Sequence, residues 1–233
     1  AQALGQRIDR YRTLPEVLAL DAQLRAALTH PLSPAEVDAL NRKLEQANGA
    51  SQSSTLTLID AQGTALAASN WRDPRSNVGV NYSFRPYVQQ ALARGRGDFY
   101  GIGLTTGEPG YFLSQAIEDP QGRVMGTIVI KIILTALERD WLETPDVVLV
   151  SDTHGVVFLA SRKEWHYRVL DSLSEAQRRE LRASRQYADQ PLLAARYEPL
   201  ERLETGGTMT RVLDPAVKGA VLWHTQFLSD KGW

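Results

Sequence analysis

The apolar residues change period at Ser51, and from there a strand-turn-strand signature occurs twice, which restricts the chain to a helical segment followed by tandem α+β modules. Residues 55–59, the turn Asp60-Ala61-Gln62-Gly63 and residues 64–69 read as strand, turn and strand, with Gly63 supplying the positive φ that such a turn needs. Residues 147–151, Asp152-Thr153-His154-Gly155 and residues 156–161 repeat it 92 positions on, aligning Asp60 with Asp152, Gly63 with Gly155 and Ala68-Ser69 with Ala160-Ser161. The match predicts two modules of one architecture. The competing reading is coincidence between two common turn sequences.

Before Ser51 the period is helical. Leu4, Ile8, Tyr11 and Leu14 form one stripe, which resumes in a shifted phase at Val17, Leu20, Leu24 and Leu28 after Pro15. Thr13-Leu14-Pro15-Glu16 has capping-box form, so a kink or restart is expected there, and Ser33-Pro34-Ala35-Glu36 opens another helix that runs out at Asn48-Gly49. This layer packs on a core, or, in a sharper reading, its first helix continues a membrane anchor and carries a dimer seam. Further on, the spacing predicts helices over 86–94 and 135–142, strands over 99–104, 110–116 and 124–134, and a boundary at Pro145. Past it come a polar helix capped by Ser174 and running to about 184, and strands near 192–197, 208–213 and 220–227. Antiparallel sheets with helices to one side make the fold class α+β. A further strand is expected beyond Gly232-Trp233, so the C-terminus is taken to be truncated.

Arg85 and Lys131 are the residues that point to chemistry. Each cation stands in a segment built to hide apolar surface: Arg85 at a helix start after Asn81-Tyr82-Ser83-Phe84, Lys131 within the run from Thr127 to Leu134. A guanidinium matches a carboxylate in two parallel hydrogen bonds, and a helix start adds unpaired N–H groups and the positive dipole end. Alternation puts Val129, Lys131 and Ile133 on one strand face, where a lysine is costly unless paired. The competing readings are a surface arginine paired with an acid and a lysine guarding the solvent face of a strand. Two cations held against one buried surface suggest a small dianion.

Other classes fall away. With 233 residues, 43% of them hydrophobic, the chain can bury a proper core as one large domain or two smaller ones. A net charge of -1 and no basic stripe argue against nucleic-acid binding. The absence of cysteine excludes disulfides, thiolate metal sites and cysteine nucleophiles. No run approaches the roughly 20 apolar residues of a membrane span and no signal peptide opens the sequence, so a cytosolic protein or an excised soluble piece is expected. The loop Gly101 to Gly107 lacks dinucleotide spacing, no phosphate loop or Gly-x-Ser-x-Gly elbow occurs, and His30, His154, His166 and His224 are scattered. No cofactor and no metal are expected.

The ordered series Asn70-Trp71, Val78-Gly79, Asn81-Tyr82-Ser83-Phe84-Arg85-Pro86-Tyr87, Phe99-Tyr100-Gly101-Ile102-Gly103, Gly110-Tyr111-Phe112-Leu113-Ser114, Val129-Ile130-Lys131 and Leu137-Glu138-Arg139-Asp140-Trp141 resembles a known family. That family is the periplasmic sensor region of C4-dicarboxylate sensor histidine kinases of the DctB type, which are double-Cache (PDC, PAS-like) sensors. The resemblance extends over nearly the whole chain and is strongest in the first module.

It implies a long N-terminal helix followed by two tandem PAS-like modules: a helical region 1–50, a membrane-distal ligand-binding module 51–142 and a membrane-proximal module 143–233. The proximal module has no counterpart of the Tyr-Ser-Phe-Arg segment and should stay empty. The resemblance also implies flanking membrane helices, a kinase core inside the cell that acts on a response regulator, a homodimer through the N-terminal helices, and a periplasmic location on a bacterial inner-membrane protein. The fragment itself would catalyse nothing. Its ligand would be a small C4-dicarboxylate such as succinate, fumarate or malate. Carried over by position, Tyr82, Arg85, Gly103, Thr105, Thr106, Tyr111, Ser114 and Lys131 would line the pocket, with the choice between Thr105 and Thr106 open. Trp71 and Trp141 go to packing. The alternatives are the same sensor class tuned to 2-oxoglutarate or another small carboxylate, and a small hydrolase or transferase using Arg85 and Lys131 as an oxyanion site. Arg85→Ala and Lys131→Met are each expected to abolish dicarboxylate binding at a near-normal melting temperature.

Overall fold

The structure, a computed structural model, describes residues 2–51, 53–142, 146–204, 206–213 and 219–227. The expected boundary at Pro145 and the closing Gly232-Trp233 lie outside the described residues. The chain forms two compact units, one of residues 2–135 with 179–188, the other of residues 136–178 with those from 189 onward.

In the first unit, helices α1 (Gln2–Ala19), α2 (Ala22–Ala27) and α3 (Pro34–Ser51) precede strands β1 (Thr55–Asp60) and β2 (Ala65–Ala68), helix α4 (Pro86–Arg94), and strands β3 (Arg96–Ile102), β4 (Pro109–Glu118) and β5 (Val124–Ile132). The strands make one antiparallel sheet in the order β2-β1-β5-β4-β3. Helix α1 packs on β4 and β5. It runs through Pro15 without the expected restart. A proline removes one backbone hydrogen bond, a loss that the burial of Ile8 and Leu18 on either side outweighs. The break comes instead at Asp21, whose carboxylate accepts from Gln23 N and Leu24 N and so caps α2. The buried stripe therefore follows Leu18 and Leu24, whereas Val17 and Leu20 stay 58% and 67% exposed.

Helix α3 opens with the expected capping box, Ser33 and Glu36 bonding each other's backbone N–H. It continues past Asn48-Gly49 to Ser51, because the Ser51 hydroxyl donates to the Asn48 carbonyl and closes a further turn. The buried Asn41 of α3 accepts from Ala68 N (2.9 Å), which satisfies a donor on the edge strand β2.

The second unit contains helix α5 (Thr135–Leu142), strands β6 (Leu149–Ser151) and β7 (Val157–Ala160), the start of helix α6 (Glu175–Ser184), and strands β8 (Tyr197–Arg202), β9 (Thr208–Val212) and β10 (Ala220–Trp223). Strands β6 and β7 pair with each other, and β10-β9-β8 form a separate sheet, both antiparallel. Val157, Trp165 and Val212 make its core, with Trp223 packed against them. The strand expected near 192–197 begins only at Tyr197. The residues before it are held otherwise: Leu192 has a φ of +46°, and Val169 donates to Leu193 O and accepts from Ala195 N.

The duplicated signature has a counterpart in hydrogen bonds. Asp60 accepts from Gln62 N and Thr64 N, and Asp152 from His154 N and Val156 N. Gly63 and Gly155 have φ of +86° and +75°. Asp119 builds the same turn between β4 and β5, so the turn alone is common hairpin chemistry. What distinguishes the two copies is the serine: Ser69 Oγ accepts from Leu56 N and Ser161 Oγ from Val148 N, each at 2.9 Å.

Within the second unit Glu138 accepts from Ala160 N (3.1 Å) and lies 2.7 Å from His166 Nε2. The contact becomes an ion pair when the ring is protonated. The carboxylate raises the His166 pKa above its ordinary value, against burial and the charge of Lys163. A raised histidine pKa stabilises the fold fully below the unfolded value, near 6.5, and the stabilisation is lost as pH rises through the folded value. The melting temperature of the wild type should therefore exceed that of Glu138→Gln at pH 6 and converge on it by pH 8. A difference independent of pH would exclude this titration.

Candidate functional site

Register builds one face of the first unit's sheet into a site. Thr55 of β1 pairs with Lys131 of β5, Thr57 with Val129, and Lys131 in turn with Phe112 of β4. Because alternate residues share a face, Thr55, Thr57 and Ile59 stand beside Val129, Lys131 and Phe112. These six, with Asn77, Tyr82, Tyr87 and the stretch Gly103 to Thr106, line a cavity of about 20 Å³. Among the described residues its lining has no acidic side chain.

Lys131 is 3% exposed. Its Nζ donates to Thr106 Oγ1 (3.0 Å), and the nearest carboxylate it meets is Glu108 at 3.9 Å, itself 56% exposed. Burial lowers the lysine's pKa. The solvent-face reading of Lys131 is thereby excluded. Two glycines make room for the side chain: a Cβ on Gly110 would lie 2.6 Å from Lys131 Cε, and one on Gly103 would lie 2.7 Å from Thr106 Oγ1.

Residues 103–108 form a tight loop over the cavity, closed at its neck by Gly103 N donating to Glu108 O and Gly107 N to Gly103 O. Both threonines of the loop line the cavity. Thr106 meets Lys131, while Thr105 donates to Asn77 Oδ1 (2.6 Å), and Asn77 Nδ2 donates to Thr57 Oγ1 (2.9 Å). Arg75 Nη1 holds the Thr106 carbonyl from outside (3.0 Å). Tyr82 projects a buried hydroxyl without a hydrogen-bond partner, beside Thr105, and burial pushes its pKa up to about 12, so it remains a neutral donor. Tyr87 stacks on Phe112 with ring centroids 4.8 Å apart and completes the wall.

Of the residues singled out by sequence, Tyr82, Gly103, Thr105, Thr106 and Lys131 meet at the cavity, whereas Arg85, Tyr111 and Ser114 are not on its lining. Tyr111 is on the other face of β4, where its hydroxyl donates to Asp98 Oδ2 (2.6 Å), which Arg12 of α1 also approaches. Ser114 donates to the carbonyls of Tyr87 and Gly97. Arg85 is 1% exposed and occupies the N-cap position of α4. Its Nη1 donates to the carbonyls of Ser184 and Arg185 (both 3.0 Å), its Nη2 to that of Ile102 (2.7 Å), and its Nε is buried without a partner. No carboxylate among the described residues pairs with it, and burial lowers its pKa. Thr55, Thr57, Asn77, Tyr87 and Phe112 were not anticipated; the pairing of β1 with β5 brings the two threonines to Lys131. The described residues hold no cluster of three metal-ligating side chains and no helix long and apolar enough to cross a membrane.

No protein-family profile matches the chain. It is 34% identical over 215 residues, 92% of its length, to the C4-dicarboxylate transport sensor protein DctB of Rhizobium meliloti, and 34% identical over 187 residues to DctB of Pseudomonas aeruginosa. The sensor domain of the Vibrio cholerae histidine kinase DctB superimposes with a TM-score of 0.88 at 28% identity, covering 98% of this chain and 88% of that one. The chain is a homologue of DctB sensor domains. It spans 34% and 30% of the length of the two curated DctB relatives. A second likeness, to the ligand-binding domain of the Campylobacter jejuni chemoreceptor Tlp3 (TM-score 0.52, 14% identity), concerns the fold alone.

Proposed function

We propose that this DctB homologue is the periplasmic sensor region of a two-component histidine kinase in a bacterial inner membrane, and that its cavity takes a small C4-dicarboxylate such as succinate, fumarate or malate. Lys131 carries this reading: a buried ammonium on the wall of a cavity whose described lining has no acidic side chain needs an anion. The lack of a lining carboxylate disfavours amino acids, whose ammonium would want one. The neutral hydroxyls of Tyr82, Thr105 and Thr106 supply donors for the carboxylate oxygens. A cavity of about 20 Å³ holds roughly one water, so a four-carbon diacid enters by displacing the 103–108 loop. In this reading residues 51–142 make up the membrane-distal module, 143–233 apart from 179–188 form an empty proximal one, and the kinase core that acts on a response regulator belongs to the rest of the protein.

A thermal-shift screen with mono-, di- and tricarboxylates tests the proposal. A ligand at a hundredfold its dissociation constant adds about 2.7 kcal/mol, so succinate or malate should raise the melting temperature where acetate does not. No response to any C3 to C5 diacid would refute the reading. Recovery of the ligand unchanged separates a sensor from a hydrolase.

The N-terminal helix is the proposed dimer contact of the intact receptor. Val17 on α1 and Leu20 just past its end are exposed, while Ile8 and Leu18 are buried, and two-fold pairing of one apolar stripe is self-complementary. Since the chain has no cysteine, single cysteines can be introduced cleanly into the full-length receptor in membranes. Residues 17 and 20 should cross-link and 8 and 18 should not; equal or absent cross-linking at all four would rule the seam out.

A further inference from the structure

We propose that residues 179–188 are part of the ligand-binding unit and that Arg85 is the positioning residue that docks them, so that dicarboxylate binding and docking of this segment stabilise each other. This coupling rests on the dicarboxylate reading of the cavity and adds to it a second element that responds to the ligand.

The segment lies far along the sequence from the rest of its unit, yet it meets the end of the sheet's edge strand. Strand β3 is an edge strand, and at its end Ile102 donates its N–H to Gln186 O (2.8 Å) while its carbonyl accepts from Arg85 Nη2. The backbones approach so closely that a Cβ on Gly101 would stand 3.0 Å from Gln186 O. Tyr187 is buried beside Tyr100, with ring centroids 6.5 Å apart. Arg85 Nη1 takes the carbonyls of Ser184 and Arg185, at the C-terminal end of α6. Carbonyls there lack intrahelical donors, and the dipole's negative end favours a cation.

The docked segment leaves Arg85 a buried cation whose hydrogen-bond partners are all neutral. Undocking would let water reach the guanidinium, so burying the charge opposes docking. An anion in the cavity relieves that opposition. Arg85 Nη2 holds the carbonyl of Ile102, the residue next to Gly103 on the cavity wall, and Arg85 N donates to the carbonyl of Tyr82, also on that wall. Three contacts leave part of its five-donor fork unused, including the unpartnered Nε. A dicarboxylate therefore favours the docked segment, and by linkage the docked segment favours the dicarboxylate to the same degree. Both ends of the segment lead into the other unit of the chain.

Hydrogen exchange on the whole chain, with succinate as the probe, reads this directly. Amides of residues 179–188 and of Ile102 should exchange roughly tenfold more slowly with saturating succinate, a typical coupling. Tyr187→Ala, outside the cavity, should weaken succinate binding by about the same factor. Lys131→Met should show wild-type exchange in 179–188 without succinate and no change on adding it. If succinate raises the melting temperature but leaves exchange in 179–188 unaltered, the coupling is wrong and the dicarboxylate reading stands. If succinate has no effect on melting, the dicarboxylate reading falls and the coupling with it. Should Tyr187→Ala fail to fold, the wild-type exchange result decides.

Discussion

Lys131→Met is expected to remove succinate binding from the chain while leaving the unliganded protein as stable as the wild type. Loss of one member of a desolvated charge pair typically costs about 2 to 5 kcal/mol, at least a thirtyfold loss of affinity. Methionine keeps the apolar stem that lies against Gly110 and gives up only the ammonium. In the unliganded fold that ammonium contributes little: among the described residues it has one hydrogen bond, to Thr106, and a single carboxylate at 3.9 Å, while burial opposes its charge. Removing it therefore spares the fold a desolvation cost that roughly balances the lost bond. Calorimetry with succinate should show no heat, at an unchanged melting temperature. Gly110→Ala supplies a graded version, since its Cβ would have to displace Lys131 Cε from 2.6 Å, and it should weaken succinate about tenfold by a mechanism that leaves the charge in place. Wild-type affinity in both variants would remove Lys131 from the site.

Lys131 was legible because a lysine in an alternating apolar strand is a local anomaly, visible without knowing what pairs with the strand. The hairpins were legible for a similar reason. An aspartate two and four residues ahead of the N–H groups it accepts, with a glycine at positive φ between them, is a short-range device. The neighbours of Lys131 were not. Thr55 and Phe112 stand beside it only because the sheet runs β2-β1-β5-β4-β3, placing the first strand next to the last. Nothing in the pattern of either strand states that order. In α1 the capping-box residues before Pro15 suggested a restart, but packing of Ile8 and Leu18 carried the helix through. Arg85 was placed correctly at the start of a helix. Its guanidinium, however, bonds carbonyls 99 and 100 residues away, a distance over which local sequence carries no information.

That long-range contact changes what Arg85→Ala should do. From sequence, the variant is expected to bind no dicarboxylate at a near-normal melting temperature. In the structure its guanidinium satisfies the carbonyls of Ile102, Ser184 and Arg185. Two effects oppose each other. Deleting a buried cation without an anionic partner recovers desolvation energy, while leaving buried carbonyls without a donor costs roughly 1 to 3 kcal/mol each. The second effect wins, because three acceptors lose a donor at once and the truncated side chain also leaves a void among buried groups. A net loss of about 3 kcal/mol follows, and at roughly 2 to 4 °C per kcal/mol for a chain of this size the melting temperature should fall by about 6 to 12 °C. Arg85→Lys should recover part of the loss, since an ammonium can bond some of these carbonyls but cannot span all three with a planar fork. Lys131→Met provides the contrast, with binding lost and melting unchanged. An Arg85→Ala protein that melts with the wild type would show that the carbonyls find other donors and that this arginine is dispensable to the fold.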